Sequence, residues 1–237
     1  MSESLVFPEV IVSLPTPILV QQIEIRRLWE LLVSEDLDVL ELRAFHYLDS
    51  KQTRVEHFWA EKYDSTDALH RAFEDVALDL NRQYFNVYTP LNRLRSDFHG
   101  SAAKDSDIRC RDLLLVDIDR VGDTKQPATD AEIFKARTLA DSLASWLSNN
   151  GWPDPVQMLS GNGVHVYYRL EDMGNTEQSK DLIKTVLVTL ARRFDTPEVV
   201  IDRCVFNASR VTKVPGTIMR KGPETGARPY RMARLLP

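Results

Sequence analysis

Two aspartates alternate at the end of an apolar run, Leu113-Leu114-Leu115-Val116-Asp117-Ile118-Asp119. In a strand, side chains two apart share a face, so both carboxylates project from one side. Two anions held that close repel each other unless a cation lies between them. Hard oxygen donors suit Mg²⁺ or Mn²⁺ and the phosphates those ions carry. Taken alone, the pair reads equally as a strand running into a polar turn.

A second group lies downstream, where Gln157 to Tyr168 reads QMLSGNGVHVYY. Asn-Gly between two β-rich runs predicts a two-residue type I′ hairpin turn at Asn162-Gly163. Gly161 would then pair with Val164, and Ser160 would face His165 with Cβ atoms about 5 Å apart. A hydroxyl beside an imidazole on a glycine-rich hairpin can clamp a phosphate oxygen, whereas a lone histidine on an apolar strand is otherwise a core residue. Further on, Val199-Val200-Ile201-Asp202 repeats the apolar run ending in aspartate and opens into a segment containing Asn207, Arg210 and Lys213. A third carboxylate there could complete a two-metal site, and the Asn, Arg and Lys could neutralise a triphosphate. On its own Asp202 reads equally as a cap of a helix or turn.

The elements that must position these groups follow from periodicity. Residues 1 to 19, with three prolines, read as an extended arm, and Gln21 to Val33 as a helix ended by Ser34-Glu35-Asp36. Val39 to Leu48 and Arg54 to Ala60 read as strands joined by a turn at Asp49 to Gln52. Ser65 to Arg82 is a capped amphipathic helix, and Phe85 to Leu91 a short strand. The polar stretch Asn92 to Arg109 reads as a linker between an N-terminal unit, residues 1–100, and a second unit, residues 108–237. The second unit runs as the Asp-bearing strand, a helix from Asp130 to Asn149, a hairpin over Pro155 to Leu170, a helix from Glu177 to Phe194, and a strand-rich tail. That order gives an α/β sheet with helices on one face.

The totals bound the class. At 237 residues and 43% apolar content the chain can bury a real core. It contains no run of 18 apolar residues and opens without a charged-then-apolar leader, which reads as a cytoplasmic protein with no membrane partner. Cys110 and Cys204 are too few for a zinc knuckle, so no structural zinc is expected and any metal should be held by oxygen. The net charge of -5 hides an asymmetry: from Arg203 onward there are eight basic residues against one acidic, while the preceding 202 carry 22 basic and 34 acidic. A basic segment on an acidic body suggests a local surface for phosphates, or else a biased solvated tail.

In combination, the hhhDhD strand at Asp117 and Asp119, the SGxGxH hairpin from Ser160 to His165, the hydrophobic-Asp at Asp202 and the NxSRxxKxPGT stretch from Asn207 to Thr217 resemble the archaeo-eukaryotic primase superfamily. The likeness is to the primase-polymerase domains of plasmids, phages and mobile elements, and it runs from about Arg43 to the end. Asn86 to Asn92 looks like the strand that precedes the catalytic half in such proteins. The resemblance implies an N-terminal α/β unit and a C-terminal unit similar to an RNA-recognition-motif sheet, with the active site between them. It implies that Asp117, Asp119 and Asp202 hold two Mg²⁺ or Mn²⁺ ions. It further implies that Ser160, Gly161, Gly163 and His165 meet the phosphates of the incoming nucleotide, with Asn207, Arg210 and Lys213 balancing the charge.

The implied activity is phosphoryl transfer from a dNTP or NTP to a 3′-hydroxyl on a single-stranded or primed DNA template. Template contacts would fall to Arg93, Arg95, Arg220, Lys221, Arg228 and Arg231. A helicase or priming-assistance region in a longer chain is an expected partner. Many members carry a zinc knuckle that this chain lacks, so extension is better supported than initiation. Two rivals are a catalytically silent replication-initiator module, and a nucleotide-sugar transferase that uses DxD but gives Ser160, His165 and Asp202 no role.

Overall fold

The computed structural model describes residues 17–32, 38–49 and 51–237, apart from the Asp172 side chain. Of the expected arm, residues 1–16 lie outside the described residues, as do Ser34-Glu35-Asp36 and Ser50, whereas Ile18 and Leu19 already belong to the first helix. The chain runs α1 (Ile18–Leu32), β1 (Val39–His46), β2 (Thr53–Trp59), α2 (Thr66–Arg82), β3 (Phe85–Pro90), β4 (Cys110–Arg120), α3 (Asp130–Ser148), β5 (Val156–Leu159), β6 (Val164–Gly174), α4 (Glu177–Phe194), β7 (Val199–Ile201), β8 (Val211–Lys213), β9 (Ile218–Met219), β10 (Arg231–Met232) and β11 (Arg234–Leu235). Single 3₁₀ turns follow β2 and precede β4. No helix among the described residues is long and apolar enough to cross a membrane.

Local chemistry accounts for the helix boundaries. Ser65 accepts from the Ala68 N–H at the start of α2, and Thr176 does the same for α4 through the Ser179 N–H. At α3 the Thr129 hydroxyl and the Glu132 carboxylate cap one another's backbone N–H groups in a capping box.

Two sheets result. The first has the order β2-β1-β3-β8 and the second β11-β5-β6-β4-β7, every pairing antiparallel. Within the second, β4-α3-β5-β6-α4-β7 is a β-α-β-β-α-β unit with β4 between β6 and β7. This is the sheet similar to an RNA-recognition motif. Along β4 the even-numbered Leu114, Val116 and Ile118 enter the core with Leu139, Leu143 and Leu187 of α3 and α4. The odd positions after Leu115 are Asp117 and Asp119, which therefore leave the sheet on the face turned from the helices. In the first sheet Leu42, Ala44 and Val87 pack with Ile25 and Leu28 of α1 and Phe73 of α2. Each sheet thus wears its helices outside, and the bare faces bound a cleft.

Two expectations need correction. The stretch from Asn92 to Arg109 is no exposed linker: Leu94, Phe98, Ala103 and Ile108 are buried with Val39 and Ala208 as a small core of their own. Its backbone is also tied to the first sheet, as Glu41 of β1, fully buried, accepts from the Ala103 N–H at 2.8 Å and contacts His57 and Arg43. The boundary at residues 100–108 is crossed as well, because β8 leaves the second unit and pairs with β3 through Tyr88↔Lys213 and Thr89↔Thr212.

Candidate active site

The cleft has a volume of about 220 Å³ and is lined by Asp117, Asp119, Ser160, Asn162 and His165 from the second sheet, and by Tyr88, Arg210, Val211, Lys213, Met219 and Lys221 on the other side. Antiparallel pairing of β4 with β7 carries the register from Ile118↔Ile201 to the next position, where the Asp202 N–H donates to the Asp117 carbonyl at 2.8 Å. The backbone of Asp202 is thereby brought to the same sheet end as Asp117 and Asp119. Among the described residues, however, no three His, Cys, Asp or Glu side chains stand close enough to enclose an ion as they are. The Asp202 carboxylate instead accepts the Cys204 N–H at 2.7 Å, the turn-capping role that its sequence also allowed.

Burial and then Asp202 push the Asp117 carboxyl up from its ordinary value to about 7, partly offset by Arg210 and Lys221. Burial and then Asp117 push Asp119 up to about 6, against the pull of His165 and Lys221. Asp117 Oδ1 is buried without a hydrogen-bond partner, 3.4 Å from His165 Nε2. A buried acceptor without a donor, on a carboxylate crowded by two others, fits a divalent cation, and Asp117 with Asp119 supplies the hard oxygen donors for one.

His165 sits directly across from Asp117 in the β4–β6 pairing. Its Nδ1 lies 2.9 Å from the Tyr167 hydroxyl and 3.2 Å from Thr212 Oγ1, and those two oxygens are 2.6 Å apart. This fixes the ring so that Nε2 meets the aspartates. Burial pulls the imidazole down to about 4 despite Asp119, so it enters the cleft neutral at pH 7. A neutral ring in this setting offers a hydrogen bond rather than a charge.

The hairpin differs from expectation. Leu159 pairs with Val164 and Met158 with His165, so residues Ser160 to Gly163 form a four-residue loop and Ser160 is not opposite His165. The positive φ falls on Gly161, at 105°, and not on Asn162 or Gly163. Close approach explains the glycines better than turn type: a Cβ on Gly161 would lie 2.5 Å from Met219 Cβ, and one on Gly163 2.4 Å from the Ile118 carbonyl and 2.6 Å from Asp119 Oδ1. The loop backbone thus rests directly on the aspartate strand. Ser160 still reaches the cleft, its Oγ accepting the Gly163 N–H at 3.2 Å, and Asn162 bridges to the Ala128 N–H at 2.8 Å.

The cations gather opposite. Arg210 donates to the Cys204 carbonyl at 2.7 Å and keeps a buried Nε without a partner. Lys213 is 1% exposed with an unpartnered Nζ, and burial followed by Arg220 holds it well below the ordinary lysine value. Asn207 is not brought to the cleft; its amide is 3.4 Å from Ser209 Oγ, in the loop that Asp105 anchors through the Ser209 N–H.

Comparison with protein-family profiles and with curated proteins gave no match. Solved structures do match. The AEP domain of the cyanophage S-2L primase-polymerase is 16% identical with a TM-score of 0.53, over 91% of this chain and 89% of that one. The primase RepB′ is 13% identical with a TM-score of 0.52, over 92% of this chain and 56% of that one. This chain has the archaeo-eukaryotic primase fold. A third match is the polymerase domain of Mycobacterium tuberculosis ligase D, solved in complex with DNA: 15% identity, TM-score 0.50, 89% of this chain and 79% of that one.

Within this primase fold most of the basic residues expected on a template have structural partners instead. Arg93 is held by Asp112 at 2.7 Å, and Arg95 forms a two-pronged pair with Asp97 at 2.9 Å. Arg228 clamps Glu132 at 2.9 Å and Arg231 reaches Asp130 at 2.6 Å, both tying the tail to the start of α3. Arg220 donates to the Asn81 carbonyl at 3.0 Å. Of the six, Lys221 alone lines the cleft. Sequence reading missed Tyr88, Asn162 and Met219 as cleft residues, and Tyr167 and Thr212 as the pair that orients His165. The i, i+2 spacing of His165 and Tyr167 on one strand was the available signal for the second of these.

Proposed function

We propose that this chain is a template-directed nucleotidyl transferase, a DNA primase or polymerase acting by a two-metal mechanism. The observation that carries the reading is the unpartnered Asp117 Oδ1 beside Asp119, facing Arg210, Lys213 and Lys221 across a cleft of triphosphate-compatible chemistry. The shared fold with primase and polymerase domains supports it.

Asp117 and Asp119 would hold the divalent ions, joined by Asp202 once its carboxylate gives up the Cys204 N–H. When bound, Mg²⁺ or Mn²⁺ supplies Lewis acidity, lowering the pKa of a 3′-hydroxyl and stabilising the pyrophosphate that leaves. The remaining tasks belong to the chain. His165 donates through Nε2 to a phosphate oxygen, its ring held by Tyr167 and Thr212. Ser160 and the loop backbone around Gly161 and Gly163 close over the phosphates. Lys213, desolvated and short of an anion, gains its full charge as the triphosphate arrives, so electrostatic attraction is concentrated on the bound nucleotide. In-line placement of the two reactants does the rest.

The test is incorporation of labelled dNTPs and NTPs on primed and unprimed templates with Mg²⁺ or Mn²⁺. The wild type should extend, and Asp117→Ala and Asp119→Ala should reduce incorporation at least a thousandfold while circular dichroism is unchanged. Salt-sensitive DNA binding without synthesis under any condition would instead identify a silent initiator module.

A further inference from the structure

We propose that two groups of aromatic rings on the cleft side of the first sheet seat the bases of single-stranded nucleic acid leading into the cleft. This rests on the reading of the chain as a nucleic-acid enzyme and names the surface through which the strand is held. Along β3, Asn86 and Tyr88 alternate with the core residues Phe85 and Val87, so Tyr88 turns to the cleft side, and Tyr84 immediately precedes the strand. On β1, Phe45 lies opposite Asn86, and the Tyr47 N–H donates to the Tyr84 carbonyl at 3.3 Å. The rings form two groups, Phe45 5.8 Å from Tyr88 at the cleft, and Tyr47 6.0 Å from Tyr84 and 6.2 Å from Tyr230, with Asn86 buried between them and hydrogen-bonded to the Arg220 backbone. A basic side chain stands by each group, Lys213 Nζ 5.2 Å from the Tyr88 ring and the Arg220 guanidinium 5.1 Å from the Tyr84 ring.

Tyr84 is what makes this more than ordinary packing. Its φ of +67° is the only positive φ among the described non-glycine residues, an uncommon and unfavourable setting for a bulky side chain. The ring nevertheless remains 55% exposed, so burial does not compensate for the strain. A tyrosine held out by its backbone, with a guanidinium beside it and basic Lys221 next in the chain, presents a π-face and a positive field. Every base has a complementary π-face and every linkage a negative charge, which makes such a surface sequence-tolerant. Tyr88 and Lys221 both line the cleft, which gives the strand its destination.

The test is equilibrium binding of labelled oligo(dT) to the full chain in the presence of chelator, which separates seating from chemistry. Tyr84→Ala and Tyr47→Ala should each weaken binding roughly tenfold, while Tyr84→Phe and Tyr47→Phe stay near wild type. An abasic oligomer of equal length should bind the wild type weakly and be indifferent to all four substitutions. Should an alanine variant fail to fold, ultraviolet crosslinking of the unaltered protein to an oligomer carrying 5-bromodeoxyuridine must mark Tyr47 or Tyr84. Alanine variants that bind like wild type, phenylalanine variants as weak as alanine, crosslinks confined elsewhere, or a wild type that binds no oligomer would each overturn the proposal. Synthesis with alanine-insensitive binding sinks this inference alone; base-dependent binding with no synthesis sinks the proposed activity alone.

Discussion

Replacing Asp117 with asparagine should make the metal-free protein more stable, and the size of the gain follows from the crowding of carboxylates. Burial and Asp202 raise the Asp117 carboxyl from 3.8 to about 7. Below pH 4 the folded and unfolded chains both carry the proton. As pH climbs from 4 to 7 the unfolded chain releases it first, so the native state loses stability across that window and carries the whole penalty above it. At 1.36 kcal/mol per decade the penalty is at most about 4 kcal/mol. The side chain is 20% exposed, and screening by water at the cleft mouth brings the expectation to about 2 kcal/mol at pH 8 and under about 1 kcal/mol at pH 5. Urea denaturation of wild type and Asp117→Asn with chelator at both pH values measures this. Saturating Mn²⁺ should then reverse the order, since the ion stabilises only the chain that binds it. A variant less stable than wild type at pH 8, or a gap of equal size at both pH values, would refute the argument.

Other substitutions probe the supports. Gly163→Ala places a Cβ on the Ile118 carbonyl and should cost roughly 1–3 kcal/mol in urea denaturation, with a matching fall in nucleotide incorporation. Tyr167→Phe removes the hydroxyl shared by His165 Nδ1 and Thr212 and should cost about 1 kcal/mol; incorporation should fall more than the stability loss explains, because the ring is freed. For Glu132, burial pushes the carboxyl up but is outweighed by the Thr129 N–H, Arg228 and Arg120, leaving it at about 2. Its contribution is therefore present above pH 4.5 and lost as pH falls toward 2, so Glu132→Gln should lower the melting temperature at pH 7 and leave it unchanged near pH 2.

What the sequence disclosed was whatever depends on neighbours in the chain. The helix from Glu177 to Phe194 is found with the boundaries read from its periodicity, and Ser65 caps the helix it precedes. The alternation of Asp117 and Asp119 places both on the cleft face, because parity along a strand is a local property. The turn at Asn162 went astray because the spacing of Gly161 and Gly163 answers to Met219 and Ile118, residues remote in sequence. Remote partners also explain the arginines: Arg228 and Arg231 look like phosphate ligands until Glu132 and Asp130 are seen beside them. Asp202 was legible as a carboxylate after an apolar run, while its backbone pairing with Asp117 is a tertiary fact.

The pairing of β8 with β3 carries a cost during synthesis. Val211 pairs with Pro90, so about 120 residues must leave the ribosome before that partner exists. Until then the Phe85–Pro90 segment offers an unsatisfied edge to any extended chain nearby, and closing so long a loop slows folding. Fragments ending before Val211 should accordingly aggregate on expression, which makes this two-sheet body difficult to divide into separately folding halves.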